Sequence, residues 1–225
     1  MRSETEAVSH LIGDIYDASI NPEKWRPVLQ EVCAFVKAGF AILISEDAVS
    51  SKAHVHYSSE DDAEWLDSYF RKYIRLNPML IPMLNSRVGD IFSMSNIMTH
   101  KQFRSTVFFK EWVEPRGYID TIGAVLDKSA TGISVVSAVR LKQQGVVDAG
   151  ARRRMALIAP HVQRAVAIGR VVDLSYLEAS AMSDTLDGFS AAIFLVDGEA
   201  TSRSPTRAAV PCSRLEARCV NPVAR

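Results

Sequence analysis

Long apolar runs are missing from this 225-residue sequence. Without a stretch of about 18 apolar residues a membrane-spanning helix is not expected. The opening MRSETEAVSH carries two glutamates where an export signal needs a basic stretch ahead of an apolar one. Cysteine is scarce: Cys33, Cys212 and Cys219 are too few for a disulfide framework, and a reducing cytoplasm suits them. Neither sign of charge is in excess, with 26 Lys and Arg against 26 Asp and Glu. The body of the protein is therefore not expected to bind nucleic acid or a membrane surface, which leaves room for a regulator whose DNA-binding part is small or missing.

Chemical signatures are also few. The 11 glycines are scattered, and none forms a Gly-x-Gly-x-x-Gly or Gly-Lys-Thr/Ser phosphate loop. No Gly-x-Ser-x-Gly is present, and Cys33 falls on the apolar side of a helix, the place of a structural thiol. His54 and His56 share one strand face but lack a third metal ligand at a recognisable spacing, so a solvated face is expected and no metal. Arg152, Arg153 and Arg154 read as a solvated or acid-paired face rather than a phosphate patch. With no acid/base pair, metal triad or activated nucleophile legible, an enzyme is not expected, and no cofactor is implied.

What the sequence does contain is apolar periodicity. Ser3 with Glu6 makes a capping box for a helix carrying Val8, Leu11, Ile12, Ile15 and Tyr16. Asn21-Pro22 opens a second helix, through Trp25, Val28, Leu29, Val32, Phe35 and Val36, which Gly39 is expected to stop. Two antiparallel strands are predicted at 40–44 and 53–57. Acidic residues 60–62 open a helix that Asn77-Pro78 ends, and Thr99 with Gln102 frames another, closed by Pro115 and Gly117. A hairpin of strands 118–126 and 132–141 follows. Helices, two strands, helices and two or more strands in this order predict an α+β fold, an antiparallel sheet flanked by helices.

From Asp148 a long helix is expected, kinked at Pro160 and ending near Asp187-Gly188, either resting on its own domain or forming a dimer seam. A strand at 191–196 meets a turn at Asp197-Gly198. Residues 199–225 hold five Arg, five Ala, three Pro and two Cys, with no aromatic, Ile, Met or Lys. Such a tail cannot bury enough apolar surface to order itself and is expected to be mostly disordered.

The richest constellation is aromatic. Trp65, Tyr69 and Tyr73, at steps of four, share a helix face, which Phe92, Phe108 and Trp112 can join. Tyr hydroxyls and Trp N–H groups in an apolar setting suit a small-molecule pocket, and ordinary core packing is the other reading of the same spacing.

IYDASINPEKWRPVLQEV, WLDSYFRKYIRLNP, FFKEWVEPRGYIDTIGAVLDKSA, RRRMALIAPHVQRAVAIGRVVDL and DTLDGFSAAIFLVD mark the stretch from Ile15 to Leu186, the last of them running on to Asp197. In order and spacing they resemble the N-terminal sensory region of LuxR-type helix-turn-helix transcriptional regulators. That resemblance implies a GAF- or autoinducer-domain-like sensor at 1–147, a helical connector at 148–188, and at 189–198 the first strand of an incomplete PAS-like domain. Autoinducer-binding relatives pair Trp-x-x-x-Tyr with a following Asp-Pro whose aspartate accepts the ligand's amide N–H. Trp65 and Tyr69 match that pair, but Asn77 replaces the aspartate, and residues 90–94 lack the relatives' further tryptophan. The resemblance thus implies a small-molecule ligand at Trp65, Tyr69, Tyr73, Asn77 and Trp112 without implying an acyl-homoserine lactone.

The relatives' DNA-binding unit needs about 60 residues, and only 27 follow Gly198. The expected role is signal sensing for a regulator truncated before its output domain, cytoplasmic, with no specific DNA binding by this chain. The partner is a second copy or a full-length regulator, and a ligand-free dimerisation module that inhibits such partners is the alternative. The tail has a second explanation in a frame shift: one codon choice for 200–207, displaced by two bases, encodes Asp-Ile-Ala-Phe-Ala-Asn-Pro, which resembles the continuation of a PAS-like segment.

Overall fold

The structure, a computed structural model, describes residues 3–47, 49–50, 52–60, 62–187, 194–196 and 202–205. Helix α1 (Glu4–Ile20) starts at the expected capping box: Ser3 accepts from the Glu6 N–H and Glu6 reaches back to the Ser3 N–H. A 3₁₀ turn at Pro22–Lys24 leads into α2 (Trp25–Val36). Lys37, at φ 58°, caps α2, not Gly39. Gly39 instead lets the chain press against Leu141, whose Cδ1 lies 2.6 Å from where a Cβ would stand, and its N–H already bonds to Val139 in the sheet.

Strands β1 (Phe40–Asp47) and β2 (Lys52–Ser58) pair antiparallel, β1 reaching three residues beyond its predicted end. Then come α3 (Ala63–Ser68), capped by Asp62, and α4 (Leu80–Asn85). Strand β3 (Ile91–Ser93), α5 (Met94–Ile97) and α6 (His100–Ser105) follow, and α6 begins at the predicted Thr99–Gln102 capping box. Helix α4, strand β3 and α5 were not legible in the sequence. The predicted helix from Thr99 breaks at Thr106, where the backbone turns extended and the side-chain Oγ1 re-caps the chain by accepting from the Phe109 N–H. Gly117 closes the segment at φ 70°. The hairpin of β4 (Tyr118–Lys128) and β5 (Gly132–Leu141) forms as predicted, with β4 running two residues beyond its expected end.

The sheet order is β2-β1-β5-β4-β3, and each neighbouring pair is antiparallel. Successive strand side chains point to opposite faces, so the apolar strands feed two cores. One face packs Ala41, Leu43, Ala124, Val136 and Ala138 under α1, α2 and the start of α7 (Ala149–Asp187). The other packs Phe40, Ile42, Ile44, Val125, Ile133 and Val135 under the short helical segments of 63–116. Antiparallel sheet and flanking helices are the fold class read from the sequence.

The chain divides into two compact units, Met1–Gly169 and Arg170–Arg225. The boundary lies inside α7, well past the expected start of a connector at 148, because Ala151, Met155, Ile158, Ala159, Val162 and Ala165 are buried in the first of the two cores. The Tyr16 hydroxyl and His161 Nδ1, 3.1 Å apart, add a polar tie between α1 and α7. α7 runs on through Pro160 as one helix. In the second unit, β6 (Phe194–Val196) pairs antiparallel with β7 (Ser202–Pro205). β7 lies within the tail expected to be disordered, whereas 188–193, 197–201 and 206–225 lie outside the described residues. No described helix is long and apolar enough to cross a membrane.

Candidate functional site

The second core is incompletely filled. Between the sheet and the segments of 63–116 lies a cavity of about 90 Å³. Its floor is the alternating face of β1, Phe40, Ile42, Ile44 and Glu46, with Val135, Ser137 and Val139 of β5 beside it. Its roof comes from Trp65, Tyr69, Asn77, Phe108 and Trp112, and its far wall from Met79, Met83, Phe92 and Met94. Gly123 makes room for this wall: a Cβ there would stand 2.3 Å from the Phe92 ring and 2.4 Å from the Val136 carbonyl oxygen.

Two π-helical turns shape the roof, at Tyr69–Tyr73 and Phe109–Val113, and such turns gather at functional sites. In the first, the Ile74 N–H bonds to the Tyr69 carbonyl five residues back. The wider turn carries Tyr73 off the face shared by Trp65 and Tyr69, so Tyr73 does not line the cavity. Its hydroxyl instead donates to Glu111 at 3.2 Å on the surface, beside the Lys72–Glu111 ion pair. The other four expected residues, Trp65, Tyr69, Asn77 and Trp112, do converge on the cavity, joined by Phe92 and Phe108. Trp65 and Trp112 stack with ring centroids 4.2 Å apart, Trp112 also stacks on Phe108, and Arg116 covers the Trp65 ring from outside.

The polar element that the sequence reading missed is Glu46. It is 5% exposed, and its Oε1 accepts the Tyr69 hydroxyl at 2.6 Å. Asn77 completes the chain: its Nδ2 donates to the Tyr69 oxygen at 2.8 Å, while its Oδ1 accepts the Met79 N–H at 3.0 Å. Asn77 thus positions Tyr69 and caps a turn, and the buried acid comes from β1 instead. Burial pushes the Glu46 carboxyl above the ordinary range, against the lowering effect of the Tyr69 bond, and burial beside Glu46 pushes Tyr69 well above its own. Three polar atoms of cavity-lining residues are buried without a partner among the described residues: Glu46 Oε2, Trp65 Nε1 and Trp112 Nε1. A buried polar atom left unpaired costs about 1–3 kcal/mol, so this arrangement is suited to a partner that is not part of the chain.

The remaining candidates fall elsewhere. Cys33 is buried in the first core, where desolvation pushes its thiol up to about 12, the state of a structural cysteine. His54 and His56 lie exposed on β2, with rings 4.8 Å apart. Arg152 bonds to Ser95 and Asn96, and Arg153 pairs with Glu4 at 2.6 Å, so these two hold α7 to its own domain. His10, Asp14 and Glu31 meet on the outer surface of α1 and α2, a grouping the sequence did not suggest.

No protein-family model and no curated protein matches the sequence. Solved structures match its fold. The LBD domain of VqsR from Pseudomonas aeruginosa aligns with 72% of this chain and 94% of its own, at 16% identity and a TM-score of 0.57. A phycoerythrobilin-bound GAF domain from a cyanobacterial phytochrome aligns with 76% of this chain and 97% of its own, at 10% identity and a TM-score of 0.50. At these identities the likeness is one of fold.

Proposed function

We propose that this chain is the signal-sensing part of a LuxR-type transcriptional regulator, and that the cavity under Trp65 and Trp112 receives a small-molecule signal. The observation that carries the reading is the cavity itself: apolar walls, a few convergent polar groups, and three buried polar atoms left without partners. The VqsR LBD domain supports it through its fold. Binding, rather than catalysis, is the role that fits a buried acid whose carboxyl meets, among the described residues, a tyrosine held by Asn77. A ligand would act by favouring one arrangement of the sensor and the helix that leaves it.

The test is to denature the purified chain and profile the released small molecules by mass spectrometry. Ser137→Leu serves as a control, since Ser137 lines the cavity and leucine fills it. A mass retained by the wild type and absent from Ser137→Leu supports the proposal. Equal retention by both, or none by either, refutes it.

A second reading, association with another copy or with a full-length regulator, rests on exposed apolar side chains of α7 beyond Gly169: Val171, Leu174, Tyr176, Leu177 and Met182. Light scattering separates the two readings. A dimer that Leu174→Glu dissociates, in a chain that releases no ligand on denaturation, belongs to the second.

A further inference from the structure

The polar chemistry of the cavity points to one kind of ligand. Glu46 is an acid placed among aromatic rings on a strand face, and burial penalises its charge unless a positive partner enters. Its described contacts bring one hydroxyl donor, Tyr69, to Oε1, and leave Oε2 bare. The walls that desolvate it, Trp65, Tyr69, Phe108 and Trp112, are π faces and edges, the surfaces that attract a desolvated cation. Two indole N–H groups without acceptors face the opposite need. The cavity therefore lacks a donor, preferably charged, at one place and an acceptor at another.

We infer that the cavity takes a compact organic ammonium bearing an acceptor oxygen, with the ammonium donating to Glu46 Oε2 and the oxygen accepting from an indole N–H of Trp65 or Trp112. This rests on the reading of the cavity as a ligand site and goes further by naming the ligand's chemistry. Size is close: an apolar cavity of about 150 Å³ holds benzene, with its six non-hydrogen atoms, so the 90 Å³ available here suits about four, and a five-atom ligand enters with a small movement of the roof. The acceptor that the resemblance placed at residue 77 is replaced by an acid on β1, and an acid selects for a cation where an amide selects only for a donor.

The experiment measures binding of three isosteric probes to the full chain by calorimetry. Isopropanolamine carries both groups, isobutylamine replaces the hydroxyl with methyl, and propylene glycol replaces the ammonium with hydroxyl. Isopropanolamine is expected to bind about ten- to hundredfold more tightly than propylene glycol, the factor that a hydrogen bond to a charged group supplies. It is expected to bind severalfold more tightly than isobutylamine. In Glu46→Gln, which keeps an acceptor for Tyr69, the advantage over the glycol should fall to about twofold or less. The wild-type ranking stands as a test even if the variant does not fold. Equal affinity for glycol and amine, an unchanged ranking in Glu46→Gln, or no binding by any probe overturns the inference. The released-ligand profile decides separately whether the cavity binds a signal at all, and a retained neutral molecule would preserve the first reading while sinking this one.

Discussion

Glu46 and Tyr69, 23 positions apart in sequence, meet inside the cavity-facing core through a 2.6 Å hydrogen bond in which the tyrosine hydroxyl donates to the carboxyl Oε1. The bond joins the sheet floor to the helical roof, so it couples what happens in the cavity to the packing of residues 63–116. Removing its donor, in Tyr69→Phe, leaves the buried Glu46 Oε1 and the Nδ2 of the half-buried Asn77 without their partner. The expected loss is about 1–3 kcal/mol, read from urea unfolding. A loss below a few tenths would mean that water reaches both atoms.

Acid strength gives a second prediction. Because burial raises the Glu46 carboxyl, the native state keeps its proton at a pH where the unfolded chain has released it. Stability from this group is complete below the ordinary carboxylate range and is lost as pH rises through the folded value. Asp120, raised by burial where it accepts the Val147 N–H, contributes with the same sign. Glu46→Gln should therefore gain stability relative to wild type as pH moves from about 5 to 8. Melting temperatures across that interval check it, and a constant difference between the two proteins would contradict it.

The wall of the cavity offers a test of packing. Gly123→Ala places a methyl group against the Phe92 ring and the Val136 carbonyl oxygen, and the backbone atom cannot swing aside. A cost of about 1–3 kcal/mol is expected, as for other overpacked sites. Phe92→Ala in the same chain should recover part of it if the ring is the obstacle, which a double-mutant cycle reads directly.

The first half of α7 is core, not linker. Met155 is fully buried, so Met155→Ala should cost about 2–5 kcal/mol in the unfolding of the first unit. The exposed Leu174→Ala should cost under about half a kilocalorie per mole by the same assay. Similar costs at the two positions would argue that the helix is held evenly along its length.

Much of this architecture is written locally. The Ser3 and Thr99 boxes, the 118–141 hairpin and the apolar stripe of α1 need only neighbouring residues to be recognised, and the structure places them where they were expected. Features that depend on distant packing were not legible. The π turn that moves Tyr73 out of the aromatic face has no side-chain period of its own. Glu46 lies past Ile44, where the apolar run that predicts the strand gives way to polar residues. Yet Phe40, Ile42, Ile44 and Glu46 alternate without interruption, and continuing that two-residue period would have placed an acid inside. Asn77 was marked by the resemblance, but its part, holding Tyr69 and capping a turn, emerges only in three dimensions.

The most direct test of a ligand-sensing cavity is the melting temperature of the full chain with and without a low-molecular-weight metabolite extract, measured beside Ser137→Leu. A ligand bound to the native state raises the wild-type value in step with its saturation, while the filled cavity of Ser137→Leu shows no rise. No rise in the wild type, or the same rise in both proteins, would contradict the account.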